Sequence, residues 1–408
     1  MVAPNFNLRH LRAFCLVART GSVSKAADQI HLSQPAVSQA IRKLEAQLDE
    51  PLFDRQSSGL TLTEVGKLTE KRALNAFSLL EEGITIAGRR AQRPNARKAI
   101  HLVSSTHLRA LVALQSSGSF ALAARRIGTS QSSLHRTARD LEKLLNIPFF
   151  ASTHRGIELT DAAALFARHV RLADAELRQA YYEVTHFKGE DCTRIAVGTM
   201  PLSRTMIVPD AIEALFRENK GVRVSNIDGP YNELLRRLRY GELDFLIGAT
   251  RNPPPTSDIE QEVLFADQLS VIAGPRHPLV GRNSLSVEDI KTFPWISPPY
   301  DTPTGRQIGR LLACQQGELY PGPVRVVSSS LVMIRGLLQR GDYVTLMSPN
   351  QMRVELDLGL VVKLGLELPD TERSIGLTYR KGWHPTKTQS RFMDLVRCAA
   401  ADGHSLGS

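Results

Sequence analysis

Residues 33–45 read SQPAVSQAIRKLE and residues 130–142 read SQSSLHRTARDLE, so one chain writes nearly the same sentence twice. Sliding residues 8–66 onto 105–163 without a gap matches 20 of 59 positions. The matches include Leu11/Leu108, Gly21/Gly118, Ala26-Ala27/Ala123-Ala124, Leu44-Glu45/Leu141-Glu142, Pro51/Pro148, Phe53/Phe150 and Leu62-Thr63/Leu159-Thr160. A constant offset over such a length means that one small domain has been duplicated, and two copies form a tandem pair rather than a solenoid.

Each copy reads as a bundle of short helices. Leu8, Leu11, Phe14 and Val17 fall at helical spacing and Gly21 ends that helix. Ser22 is an N-cap candidate for a second helix carrying Ala26, Ala27 and Ile30, where adjacent alanines imply close packing. Ser33 caps a third helix, with Pro35 tolerated in its first turn and Val37, Ile41, Leu44 and Leu48 as its buried stripe. The opposite face carries Gln34, Ser38, Gln39, Arg42 and Lys43. A short helix, a turn and a helix with such donors and acceptors at its start is a helix-turn-helix layout. Gln bonds adenine bidentately, Arg bonds guanine or phosphate, and Ser donates or accepts. Pro51 and Gly59 bracket a turn-prone stretch that reads as a wing, with Arg55 toward the DNA backbone.

Charge agrees with that reading. Residues 1–190 hold 26 Lys/Arg against 17 Asp/Glu, a net of +9, whereas residues 191–408 hold 25 against 24, a net of +1. The excess sits in the duplicated half, as expected of a phosphate-binding module.

At this point the residues resemble a known family. Gly21-Ser22, Ala26-Ala27, SQPAVS at 33–38, LE at 44–45, PLFDR at 51–55 and LTLTEVG at 60–66 are similar to the winged helix-turn-helix of LysR-type transcriptional regulators. The resemblance implies that the third helix enters the major groove and reads it through Ser33, Gln34, Pro35, Ala36, Ser38, Gln39 and Arg42, with Arg55 as the wing contact. It also implies a linker helix that pairs two subunits, hence a homo-oligomer, dimer or tetramer.

Copy two keeps the scaffold but not the reading face. Pro35, Ser38, Gln39 and Lys43 become Ser132, His135, Arg136 and Asp140, while Gln34 and Arg42 persist as Gln131 and Arg139. Ser130, Gln131, His135, Arg136 and Arg139 are the candidate DNA contacts of this copy, and Arg125 and Arg126 add charge. The wing arginine gives way to Ser152, with His154 and Arg155 nearby. DNA contact and a purely structural or dimerising role both stay open for it. The stretch GRRAQRPNARK (88–98) reads as a basic linker.

From Arg194 the texture changes to alternating strands and helices: RIAVGT, VRVSNI, DFLIG, LSVIAG, PVRVVS and YVTLM are strand candidates. Such alternation implies mainly parallel sheet covered on both faces. This half resembles the effector domain of the same family, two α/β lobes like a periplasmic binding protein. The expected fold is thus multidomain, two tandem mainly α winged helix-turn-helix domains followed by a two-lobed α/β effector-binding domain. The division is 1–66, linker helix 67–87, basic linker 88–104, second copy 105–163, second linker helix 164–190 and effector domain 191–408. Strands that run into helix N-termini favour anions. Thr199, Met200 and Ser203 after the first strand, Ser328 and Ser329 after PVRVV, and Tyr300 and Thr302 from the second lobe are the effector candidates. An organic anion bridging the lobes is the expected ligand, and helix capping is the competing use of each hydroxyl.

Other classes fit less well. Ser22-Val23-Ser24-Lys25 matches the S-x-x-K of serine acylating enzymes, but its duplicate lacks the lysine and no S-D-N or K-T-G follows. No P-loop, G-x-G-x-x-G or H-E-x-x-H motif is present, so neither enzyme nor cofactor chemistry is expected. Cys15, Cys192, Cys314 and Cys398 are scattered without a C-x-x-C pair, which argues against a disulfide framework or a zinc site and suits the cytoplasm. No apolar run approaches the roughly 18 residues of a membrane span. The expected function is a ligand-responsive regulator on double-stranded DNA. The alternative is an architectural DNA-binding protein whose C-terminal half serves only oligomerisation.

Overall fold

The computed structural model describes residues 5–57, 59–153, 156–205, 207–312 and 322–405. Copy one comprises α1 (Leu8–Thr20), α2 (Val23–Gln29), α3 (Gln34–Leu48) and the antiparallel strands β1 (Phe53–Gln56) and β2 (Gly59–Leu62), followed by the long helix α4 (Glu64–Arg90). Copy two repeats the order as α5 (Ser105–Ser117), α6 (Phe120–Ile127), α7 (Gln131–Leu145), β3 (Phe150–Thr153), β4 (Gly156–Leu159) and α8 (Asp161–Phe187). His154 and Arg155 lie outside the described residues.

The residues the copies share make the same bonds twice. Gly21 and Gly118 end α1 and α5 at φ of 64° and 62°, a left-handed conformation that a Cβ would strain. Ser22 and Ser119 cap α2 and α6, and Ser33 and Ser130 cap α3 and α7. Glu45 Oε1 accepts the Leu52 N–H at 3.0 Å, and Glu142 Oε1 accepts those of Phe149 and Phe150 at 2.8 and 3.0 Å, so each Leu-Glu pair ties its third helix to its wing. Thr63 and Thr160 cap the long helices while their hydroxyls donate to Pro51 O and Pro148 O.

The two long helices are antiparallel partners within one chain. Arg72 of α4 is fully buried among Glu176, Gln179 and Glu183 of α8, and Gly83 lies against His169 so closely that a methyl there would overlap the histidine Cβ. The linker-helix pairing expected between subunits is therefore made internally, because the duplication supplies the second helix on the same polypeptide. The stretch 88–98, expected as a basic linker, is packed against the helices: its first residues end α4. Residues Pro94–Leu102 form a 3-10 helix that buries Ala96 and Ile100, and Arg12 donates to Ile100 O within it and to Val103 O just after it. Alternation hid these anchors among the arginines.

His169 makes this helix pair sensitive to acid. It is buried, with Nδ1 2.9 Å from Leu165 O, and burial holds its pKa below the ordinary value of 6.5. A histidine kept neutral by the fold binds fewer protons than it does unfolded. Its stability contribution is thus complete above pH 6.5 and is lost as pH falls from there toward the lower folded value. Denaturant midpoints should drop between pH 7 and pH 5, and His169→Gln should flatten that drop. Equal slopes for the two proteins would refute the assignment.

The C-terminal half has two sheets. In the first lobe the order is β6 (Arg223–Asp228), β5 (Arg194–Thr199), β7 (Phe245–Ala249), β14 (Glu372–Arg380) and β8 (Ile259–Gln268). In the second it is β11 (Val324–Val327), β10 (Trp295–Ser297), β12 (Val344–Met347), β9 (Ser270–Ala273) and β13 (Val362–Lys363). β5 to β7 and β10 to β12 are parallel, whereas β14 and β9 pair antiparallel with their neighbours. The chain crosses between lobes after β8 and again before β14. Buried Asp267 braces these crossings by accepting from Ser348 Oγ at 2.6 Å, Asn350 at 3.2 Å and Arg373 at 2.9 Å. Among the described residues no helix is long and apolar enough to cross a membrane.

Candidate DNA interface and effector cleft

On α3 the apolar stripe Val37, Ile41, Leu44 and Leu48 is buried, which turns the polar positions outward. Ser33, Gln34, Pro35, Gln39, Arg42 and Lys43 are exposed, Ala36 and Ser38 half-buried, and Arg55 stands exposed on the wing. Gln34 Nε2 donates to Ser24 Oγ at 3.0 Å, which holds its amide at the start of the helix. Arg42 and Arg55 have no ion-pair partner among the described residues, so their charge is available to phosphate or a base edge. On α7, Ser130, Gln131, His135, Arg136 and Arg139 are all exposed. Arg139 is tied to Glu142 at 2.6 Å, and the His135 ring lies 4.8 Å from that of Phe120. Arg136 has no ion-pair partner among the described residues.

The effector candidates gather at the carboxyl ends of the parallel strands, where an open α/β sheet leaves its ligand crevice. The 3-10 turn Pro201–Arg204 after β5 touches the turn Asn350–Met352 after β12, so these ends of the two lobes face each other. Most of the candidate hydroxyls are already used. Thr199 is buried and donates to Asn226 Oδ1 at 2.6 Å. Ser203 is buried, its Oγ 2.9 Å from Met200 O and 3.2 Å from Ile247 O. Met200 lies across Gly248, where a Cβ would collide with it. Thr302 caps the helix Pro303–Leu311 and donates to Pro299 O, while Tyr300 packs on Gly309 of that helix. Ser328 accepts from Ser330 N at 3.1 Å, and Ser330 is the residue that caps Leu331–Leu338. Ser329 is exposed.

The sequence reading missed three cations. Arg251 follows β7, stands over the Tyr231 ring at 4.4 Å and is half-buried. Burial lowers the pKa of its guanidinium, and the charges of Arg306 and Arg373 push the same way. Arg251 comes from the first lobe, Arg306 from the first turn of Pro303–Leu311 in the second, and Arg373 from a crossing strand. Beside them the Tyr231 hydroxyl is buried without a hydrogen-bond partner among the described residues. One signal was present: Arg251 stands two residues beyond the wholly buried strand FLIGA, where a ligand-facing residue belongs.

Comparison with known proteins agrees with this architecture. The family description "Bacterial regulatory helix-turn-helix protein, lysR family" matches residues 8–67 and again 105–164, and "LysR substrate binding domain" matches 188–401. The chain is similar to the HTH-type transcriptional regulator GalR of Pseudomonas putida, 32% identical over 391 residues that cover 96% of each chain. It is also 25% identical to the transcriptional regulator PcaQ of Agrobacterium fabrum, over 72% of this chain and 94% of that one. Among solved structures, CbnR in complex with its target DNA superposes with a TM-score of 0.50 at 16% identity, over 72% of this chain and 98% of that one. LysG of Corynebacterium glutamicum with bound effector arginine gives 0.51 at 18%, over 72% and 97%. At that identity the two structures establish the fold. The chain belongs to the LysR family of transcriptional regulators, with the helix-turn-helix domain of that family present twice.

Proposed function

We propose that this regulator reads DNA bases through Gln34, Ser38, Gln39 and Arg42, with Ser33, Pro35 and Ala36 setting the approach of α3 and Arg55 gripping the backbone. Ser130, Gln131, His135, Arg136 and Arg139 make the corresponding contacts from α7. The effector is an organic anion held between the lobes. The observation that carries the last point is Arg251 of the first lobe, half-buried over the Tyr231 ring and within electrostatic reach of Arg306 from the second lobe and Arg373 from a crossing strand. Arg373 is paired with buried Asp267, but Arg251 and Arg306 have no ion-pair partner among the described residues, and an anion relieves their mutual repulsion. Thr199 and Ser203 shape the crevice floor, Thr302 fixes the start of the helix Pro303–Leu311, and exposed Ser329 offers its hydroxyl to the same charge. Closure of the lobes on the anion then changes how the effector domain bears on α8. The protein works in the cytoplasm, and dimers or tetramers form through effector-domain surfaces because α4 and α8 already cover each other.

A thermal-shift screen of the full-length chain tests the cleft. Metabolites bearing carboxylates should raise its melting temperature, and neutral or cationic ones should not. Stabilisation confined to cationic or neutral compounds would sink the anion assignment, and no stabilisation by any compound would favour the architectural reading.

A further inference from the structure

We propose that a single chain reads a composite operator of two unlike half-sites, α3 on one and α7 on the other, across a two-fold axis internal to the polypeptide. The axis is written in the contacts. In a two-fold arrangement, residue i touching j requires the counterpart of j to touch the counterpart of i. Here counterparts differ by 97 positions, as in Leu8 and Ser105. Arg72 bonds Gln179, whose counterparts are His169 and Glu82, and Glu82 acts electrostatically on His169. Gly83 meets His169, whose counterparts are Ala180 and Arg72, and Arg72 bonds Gln179 and Glu183 on either side of Ala180 in the sequence. On the axis a position meets its own counterpart, and Leu8 N donates to Ser105 Oγ at 3.0 Å.

Two-fold mates stand at equal height along their axis. The start of α3 and the start of α7 therefore lie on one face of the protein, one on each side of the axis, as two helix-turn-helix units must to follow one duplex. The symmetry is in the backbone and not in the reading groups. Arg42 is unpaired among the described residues, whereas its counterpart Arg139 is held by Glu142 at 2.6 Å. Ser38 corresponds to His135, Gln39 to Arg136 and Lys43 to Asp140, so a hydroxyl gives way to an imidazole, an amide to a cation and a cation to a carboxylate. Different donors on mated positions select different bases, so the operator departs from a palindrome.

The helix pair also favours its internal partner over a second chain. Arg72 finds Glu176, Gln179 and Glu183 on α8, but a second α4 would offer Leu79, Glu82 and Ile86 at those positions. His169 needs the missing side chain of Gly83, and a second α8 would present Ala180 instead. Both like-with-like pairings lose what the mixed pairing has.

The inference rests on base reading by the two helices, and one experiment separates the two ideas. The full-length wild type, Gln34→Ala/Arg42→Ala and Gln131→Ala/Arg136→Ala are used to select duplexes from a randomised pool, and the winning duplex is titrated at concentrations far above its Kd. All four residues are exposed, so the variants should melt like the wild type. The wild type should enrich two unlike half-sites at fixed spacing, with equivalence at one duplex per chain. The α3 variant should lose one half-site and the α7 variant the other, each with a fall in affinity of roughly tenfold or more. Two like half-sites, equivalence at one duplex per two chains, or a motif untouched by the α7 variant would overturn the composite operator while leaving base reading by α3 intact. No enrichment by the wild type would overturn both.

Discussion

Arg72→Ala is expected to remove about 3–5 kcal/mol of unfolding free energy. Arg72 is about 1% exposed and donates to Glu183 at 2.6 and 3.1 Å, Glu176 at 2.9 Å, Gln179 at 2.6 Å and His384 O at 3.0 Å. Deleting it strands Glu176 and Glu183 as two largely buried carboxylates without their shared counter-charge. The damage is not confined to the helix pair. His384 belongs to the first lobe, and Gln179 also reaches Gln389 there at 3.3 Å, so one guanidinium joins α4, α8 and the effector domain. Arg72→Lys keeps the charge but has three donors for five bonds, and should fall between wild type and alanine. Denaturant titration followed by far-ultraviolet circular dichroism reads both. A loss below about 1 kcal/mol for alanine would mean that the network is solvated and carries little.

Arg251→Ala is expected to weaken the anionic effector by roughly 10- to 150-fold, the worth of a charged hydrogen bond of about 1.5–3 kcal/mol. Arg251 carries the largest effect of the three cations because it is half-buried against Tyr231 with no ion-pair partner among the described residues, whereas Arg306 is exposed to water and Arg373 is already paired with Asp267. Calorimetric titration of a carboxylate found in the screen measures the change, with effector-free DNA affinity as a control that should not move. Binding that survives in the alanine variant, or that falls equally for a neutral analogue, would remove the charge from the recognition. Ser203→Ala should act differently. Its hydroxyl faces the carbonyls of Met200 and Ile247, so it positions the turn after β5 rather than donating to a ligand.

Much of the fold was legible because its signals are local. Gly21 and Gly118, the Ser caps and the Leu-Glu pairs declare themselves twice, and repetition separates scaffold from face. The strands RIAVGT, DFLIG and YVTLM are short apolar runs whose burial on both sides is their own signature. The crossing strands β8 and β14 escaped because IEQEVLFADQ and ERSIGLTYR mix exposed and buried positions, with a register shift between Ile375 and Gly376. The hydroxyls of the candidate cleft were legible as residues near helix starts with capping as their competing use, but not the engagement of each. Thr302 caps its helix, whereas Thr199 and Ser203 are held by Asn226 and by main-chain carbonyls.

The sequence by itself determined that one domain occurs twice, which helices it contains, which face of each is polar and where the α/β half begins. These follow from side-chain periodicity, capping chemistry and backbone freedom, which act over a few residues. Only the tertiary structure decided that α4 and α8 pair within the chain, that Arg72 and His169 are mated positions with different partners, and that Arg251, Arg306 and Arg373 converge. Each of those facts joins residues tens to hundreds of positions apart. Such contacts are chosen by complementary shape and by the cost of leaving a buried charge unpaired, and neither is visible along the chain.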